Sequence, residues 1–323
     1  MSLSEAALPA SEARRRRRAV SDGPPPAKPG PWPWLDRGGR FSAFKAAVLL
    51  GCFLPLLFLG WWWVNDEMGA EPLTLATHQT GDWAIYFLLI GLAVTPARWI
   101  FDWQKVLQVR RMLGLAALGY AVVHLLLYVG NEHFRLFHVL LEILKRSYLT
   151  LGFTALIGLC VLGWTSTDSS LRRLGREWKL LHRLTYLLTA MGILHFYMQS
   201  KINVSQPVLM TGFFLWLMFW RLVPARWRGS VWPLFPLALL AAAGAAGLEY
   251  LWYATQTRAP AGAIFASIFE LDFEFGIELR PAAWMLLAGL AVAVLAAGWA
   301  LVRRMRPAPE PAPRRRRVVK EAG

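Results

Sequence analysis

The chain has 323 residues, 56% of them hydrophobic and 17 of them Trp, with a mean hydropathy of +0.39. This composition excludes a single water-soluble domain, because apolar runs near the ~20 residues needed to cross ~30 Å of hydrocarbon recur along the chain. The formal net charge of +15 would suit nucleic acid, but the charges gather in the tails and between apolar runs, so no nucleic-acid partner is expected.

The first forty residues contain Arg14–Arg18 and the stretch "SDGPPPAKPGPWPW", too poor in apolar surface to fold, and read as a disordered basic tail. A Pro-rich stretch rather than a short apolar core follows the arginines, so no cleavable signal is expected. Eight transmembrane spans follow, at about Phe41–Trp63, Trp83–Ile100, Met112–Val129, Tyr148–Gly163, Leu180–Met198, Pro207–Leu222, Trp232–Trp252 and Ala282–Val302. Between the third and fourth, Phe134–Ile143 reads as an interfacial amphipathic stretch, with His133 and His138 solvated, and His78 falls in an exposed loop. Ile268–Leu279, "IFELDFEFGIEL", alternates with period two and predicts a short strand with an acidic edge at Glu270, Asp272, Glu274 and Glu278. That edge serves either as a docking lip for a partner or as an acidic loop that satisfies topology. A second basic Pro-rich tail closes the chain over residues 304–323. Cys52 and Cys160 both lie within apolar runs, which speaks against a disulfide framework or a cysteine metal site.

Charge alternates from loop to loop. One side carries Lys28, Arg98, Lys105, Arg110, Arg111, Arg172, Arg173, Arg176, Lys179, Arg221, Arg226, Arg228, Arg303 and Arg304 together with both tails. The other carries Asp66, Glu67, Glu71 and Asp82, a mixed loop, a nearly solitary Lys201 and the acidic strand. The excess of Lys and Arg on one side places both termini in the cytoplasm. The arginine runs read as topology signals that touch anionic lipid, or as docking segments.

His124, His182 and His195 fall within apolar runs, where an ionisable side chain is costly and marks a task. Spans three and five run the same way. His124 and His195 lie roughly 20 and 24 Å from the cytoplasmic edge at 1.5 Å per residue. Matched depth on parallel helices suits two imidazoles gripping one haem iron, a low-spin arrangement fit for electron transfer. A lone intramembrane His also serves as an interhelical hydrogen-bonding group. His182 precedes His195 by 13 residues, roughly 20 Å along one helix and on a different face. It serves an inner cofactor, a lipid headgroup or a quinone, and its level partner on span three is Arg110 or Arg111 rather than a histidine.

Several blocks now add a family resemblance: "TGDWAIYFLLIGLAVTPAR" (Thr80–Arg98), "RRMLGLAALGYAVVHLLLY" (Arg110–Tyr128), "KRSYLTLG" (Lys145–Gly152), "TSTDSSLRRLGREWKLLHRLTYL" (Thr165–Leu187) and "LHFYMQSKI" (Leu194–Ile202). In this order they closely resemble the MsrQ (YedZ) family, haem-binding membrane subunits of the bacterial periplasmic methionine-sulfoxide reductase system, within the ferric-reductase-like superfamily. The resemblance implies an all-α polytopic inner-membrane bundle. The resemblance covers about 41–228, a haem-binding domain of six helices, and the chain departs from it in a basic tail (1–40), two additional helices with an acidic periplasmic loop (229–303) and a second basic tail (304–323). It implies a conduit that draws electrons from the respiratory quinone pool and passes them to a periplasmic molybdopterin enzyme that repairs methionine sulfoxide. The chain would then be a quinol-oxidising subunit and not itself the sulfoxide-reducing one.

The resemblance also implies haem b, flavin mononucleotide (FMN), and histidine roles at His124, His182 and His195, the first and last as axial ligands. In related NADPH oxidases each of two helices carries two haem ligands. Arg110 stands where the inner one would be, which favours a single haem. Arg110, Arg111, Arg176 and Trp178 near His182 form an inner rim for a quinone or a flavin, or simply anchor span ends. No G-x-G-x-x-G follows a strand-like run, so NAD(P)H is not expected as direct donor. Two other functions remain open: a transmembrane ferric or oxygen reductase of the same superfamily, and a haem-free transporter or assembly scaffold in which the histidines relay protons. No internal inverted repeat supports the transporter.

Overall fold

A computed structural model describes residues 32–36, 38–200, 203–257, 260–267 and 279–305. Residues 1–31 and 306–323 of the two basic tails, Lys201 and 268–278 of the expected acidic strand, with Glu270, Asp272, Glu274 and Glu278, lie outside the described residues. Residues before Met68 form one compact unit and those from Met68 a second.

In the first unit, Leu35 and Phe41 pair as an isolated antiparallel bridge. Asp36 accepts the backbone N–H groups of Gly38 and Arg40, which holds its carboxyl below the usual carboxylate range. Helix α1 (Ala43–Val64) starts at Ser42, whose hydroxyl accepts the Lys45 N–H. Its 22 residues, apolar but for Lys45, Gly51 and Gly60, leave Phe53, Leu57, Phe58 and Trp61 exposed, as a helix wrapped in lipid does.

The second unit is helical throughout its described residues. Helix α2 (Pro72–Ile100) precedes a short 3-10 turn (Gln104–Val109) and α3 (Arg110–Asn131). Then come α4 (Leu136–Lys145), α5 (Ser147–Trp164), α6 (Asp168–Leu181), α7 (Leu184–Gln199), α8 (Ser205–Leu222), α9 (Leu234–Gln256), α10 (Ala261–Ala266) and α11 (Pro281–Met305). Buried side chains of α2, α7, α8, α9 and α11 share one apolar core that includes Leu92, Val208, Trp220, Ala241 and Met285. Small residues predominate where α9 meets α11 (Ala238, Ala241, Ala245, Ala282, Ala293), which lets helix backbones approach where no water drives them together. Buried Thr77, Thr80, Thr189 and Thr211 each donate to a carbonyl one turn back, so their hydroxyls cost little in hydrocarbon. Arg221 ties three helices together at the end of α8. It donates to the Leu217 and Leu92 carbonyls and stacks over the Tyr186 ring.

Six described helical segments are long and apolar enough to cross a membrane: Ala43–Val64, Pro72–Ile100, Gln104–Asn131, Ser147–Trp164, Leu234–Gln256 and Pro281–Met305. The sequence predicted eight. The expected fifth span, Leu180–Met198, is cut short because the chain breaks helix at His182 and Arg183. The remaining 16 residues of α7 reach only about 24 Å. The expected sixth matches α8, whose Gln206 and Arg221 dilute its apolar character.

Two further differences matter. The second span begins eleven residues before Trp83, because Pro72 opens a helix at a position where its missing N–H costs nothing. His78 therefore lies on a helix, exposed, and not in a loop. The stretch between spans four and five is not a loop but α6, a kinked amphipathic helix with no buried residue. It exposes Arg172, Arg173, Arg176 and Lys179. The expected amphipathic stretch is helix α4, with Val139 and Ile143 turned inward and His133 and His138 exposed.

Candidate functional site

Helices α3 and α7 bring His124 and His195 together. Their ring centroids are 6.2 Å apart and their planes nearly perpendicular, at 88°. Depths counted along two separate helices predicted this meeting. The structure adds what holds each ring. His124 Nδ1 lies 2.7 Å from the Thr77 carbonyl on α2, and His195 Nδ1 lies 2.8 Å from the Tyr148 carbonyl on α5. A carbonyl only accepts, so each Nδ1 carries the proton and each Nε2 presents its lone pair. Neither Nε2 makes a hydrogen bond to a described residue.

Those two carbonyls are the ones that the helix ladder also assigns to Gly81 and Gly152, four residues on. A side chain there would collide with the imidazoles. A Cβ on Gly81 would sit 2.9 Å from His124 Nδ1, and one on Gly152 would sit 2.8 Å from His195 Nδ1. Sequence reasoning missed all four residues. Thr77 was hidden by assigning 64–82 to a loop, and Pro72 as a helix-opening residue is the signal that would have recovered it. Tyr148 and Gly152 act through backbone and bare space, which no side-chain motif announces.

The pair fits a haem. A metal–imidazole bond spans roughly 2 Å, and the ring centre adds about 1 Å on each side, so one iron between two imidazoles needs about 6 Å between centroids. Among the described residues no three His, Cys, Asp or Glu gather into a metal site, so a metal held by protein ligands alone has too few donors here. His124 and His195 would hold a haem iron, with the porphyrin supplying its remaining ligands.

His182 lies elsewhere. It caps α6 in the turn before α7 and so shares no helix with His195, which corrects the single-span placement. Its ring stacks on Trp178 at 3.9 Å, with Nδ1 3.1 Å from the Trp178 carbonyl and Nε2 3.4 Å from Ser166 Oγ. Trp178 in turn donates to the Thr165 carbonyl. Arg110 and Arg111 lie within electrostatic reach of His182, and Arg111 pairs with Asp168 at 2.7 Å. Arg176 is exposed on α6. The described structure therefore brings His182, Trp178, Arg110 and Arg111 into one neighbourhood, and no second imidazole faces His182.

Comparison with known proteins agrees. Residues 80–193 match the family described as ferric reductase like transmembrane component. The chain is 41% identical over 192 residues to a protein of Rhodospirillum rubrum, covering 59% of this chain and 90% of the relative. It is 39% identical over 185 residues to one of Caulobacter vibrioides (57% and 88%) and 40% identical over 183 residues to one of Deinococcus radiodurans (56% and 86%). Each bears the name protein-methionine-sulfoxide reductase heme-binding subunit MsrQ. No solved structure matches the chain. With its apolar helices and this similarity, the chain is a multi-pass protein of the bacterial inner membrane and belongs to the MsrQ family of haem-binding subunits.

Proposed function

We propose that the protein is a b-type haem electron-transfer subunit in which His124 and His195 are the axial ligands. It would draw electrons from the respiratory quinone pool and pass them to a periplasmic molybdopterin methionine-sulfoxide reductase. The observation that carries this reading is the pair of imidazoles 6.2 Å apart, each fixed through Nδ1 to a backbone carbonyl with Nε2 unused. A haem held by two imidazoles supplies a one-electron carrier with no open site for oxygen.

The protein's own residues do the positioning. Thr77 and Tyr148 set tautomer and ring orientation, and Gly81 and Gly152 clear the space. Basic residues near His182 stand on the side read as cytoplasmic, where both termini lie in this reading. Arg110 and Arg176 would meet the phosphate of an FMN there, while Arg111 is held by Asp168. Residues 41–228 would form the haem-binding domain, and 229–303 an addition to it.

The test is a reduced-minus-oxidised spectrum of purified protein with haem quantified, alongside His124→Ala and His195→Ala. A b-type spectrum lost from both variants is expected, and its retention in both sinks the ligand assignment. Electron delivery to a co-expressed periplasmic methionine-sulfoxide reductase, measured as sulfoxide consumed, then distinguishes this role from that of a ferric reductase.

A further inference from the structure

Helix α4 joins the outer ends of α3 and α5 in the topology read from loop charge, and it has three faces. Val139 and Ile143 turn inward and are buried. At about 100° per residue, Leu136, Phe137, Leu140 and Leu144 share a second face, and all four are exposed. His138, Glu142 and Lys145 make a third, turned about 150° from the apolar one. A helix at a membrane surface lays its apolar face in lipid, so the third face meets water. Arg146 follows it and leads into α5.

The exposed charge of this corner is positive. Glu142 pairs with Arg146, and Glu132 pairs with Arg135. In both pairs the carboxylate is tucked in and the cation stands out: 15% against 56% exposed, and 25% against 62%. Lys145 is exposed as well. Tyr128, near the end of α3, lies within electrostatic reach of Glu132, Glu142, Arg146 and Tyr148, so the two ion pairs belong to one patch. Arg146 is held from a second side, since its guanidinium donates to the Tyr148 hydroxyl at 3.2 Å. A cation fixed in place before any ligand arrives loses little freedom on binding.

The same corner adjoins the imidazole pair. The Tyr148 carbonyl holds His195 Nδ1, and the Tyr148 ring lies 6.2 Å from the His195 ring, tilted by 31°. The phenol hydroxyl then meets Arg146, which is exposed. Thr77, which holds His124 in the same manner, is buried. Electron exchange falls steeply with distance, so a soluble acceptor must settle where the carrier lies close beneath a water-facing surface.

We propose that this corner, with Arg135, Lys145 and Arg146 as its cations, is the docking surface of the soluble protein that accepts electrons from this chain, and that this protein meets it with an acidic face. The proposal rests on the reading of the chain as a haem electron-transfer subunit with a soluble reductase as acceptor. It adds the surface and the charge of the contact. Each docking event lets one electron pass outward, from ferrous iron to the acceptor, and moves no bond and no proton. Charged contacts of this kind speed encounter and suit a short-lived complex. The rival occupant, an anionic lipid headgroup, would lie on the lipid side of α4, whereas Lys145 stands on the face turned away from it.

The test is binding of the soluble methionine-sulfoxide reductase of the same bacterium to the purified holoprotein in phosphatidylcholine nanodiscs, with haem per protein measured first. Lys145→Glu combined with Arg146→Glu should weaken affinity at least about tenfold, and Arg135→Glu about threefold, with haem content unchanged. Arg172→Glu combined with Arg173→Glu, on exposed α6, makes the same change of charge and should leave affinity as it is. Equal weakening by the two pairs, or none by the first, overturns the corner. Should the first pair lose haem, Lys145→Glu and Arg135→Glu alone decide. Bound reductase should also shield Lys145 from a water-soluble amine reagent. If phosphatidylglycerol nanodiscs shield it by themselves and the reductase adds nothing, lipid occupies the corner and the proposal falls. A wild type that carries haem but binds no reductase overturns the acceptor and the corner together, whereas binding that ignores every charge reversal overturns only the corner.

Discussion

The helix pairs α2–α3 and α5–α7 build the same device twice and then diverge. In each, a carbonyl on the first helix accepts from a histidine 47 residues later on the second, and a glycine one turn past the carbonyl makes room for the ring. Thr77, Gly81 and His124 each find their counterpart 71 residues on, at Tyr148, Gly152 and His195. The same offset pairs Arg111 with His182, and here the likeness ends: Arg111 pairs with Asp168, and His182 stacks on Trp178. The shared end offers two imidazoles to one metal. The divergent end offers an imidazole opposite a permanent cation, which repels a metal. One pairing of histidines, and not two, follows from that difference.

The largest test of the comparison breaks the shared end. His124→Ala or His195→Ala should each lower bound haem at least about tenfold, measured as haem per protein, because the loss of a ligand exceeds the 10- to 100-fold cost of losing its supporting group. Unequal losses would show that the two copies are not equivalent. Next come Gly81→Ala and Gly152→Ala, which crowd the rings. Each should cost about 1–3 kcal/mol in thermal unfolding and lower haem occupancy by similar amounts. An effect in only one would confine the repeat to a likeness of spacing.

Smaller effects belong to the divergent end. His182→Ala should leave haem per protein and its spectrum unchanged while lowering the flavin retained per protein. A fall in haem content would make the divergent end a second haem site. Smallest is Asp168→Asn, which removes the ion pair with Arg111. Both side chains are about half exposed (42% and 51%), so the loss should be within about 0.2–1 kcal/mol and disappear at high salt.

Much of the site was legible before the fold was known. Histidines in apolar runs stand out because hydrocarbon makes them costly, and 1.5 Å per residue was enough to level His124 with His195. What was illegible has one cause. Thr77 and Tyr148 act through backbone oxygens, and Gly81 and Gly152 through the absence of a side chain, so nothing in their chemistry marks them until another helix arrives. The misplacement of His182 has a different origin. The apolar run of Leu184–Met198 was extended back across His182 and Arg183 to Leu180, whereas the chain leaves the helix at those two residues, where α6 turns into α7.

The sequence by itself determined that this is a membrane protein, how charge alternates from one connecting segment to the next, and which two histidines lie at matched distances along their helices. Each depends on composition or on distance along one element, quantities that local physics sets. Only the tertiary structure decided how the rings are aimed and that one helix pair repeats the other. Each of these requires two helices to meet, and the rotation of one helix against another is set by packing and not by spacing along either chain segment.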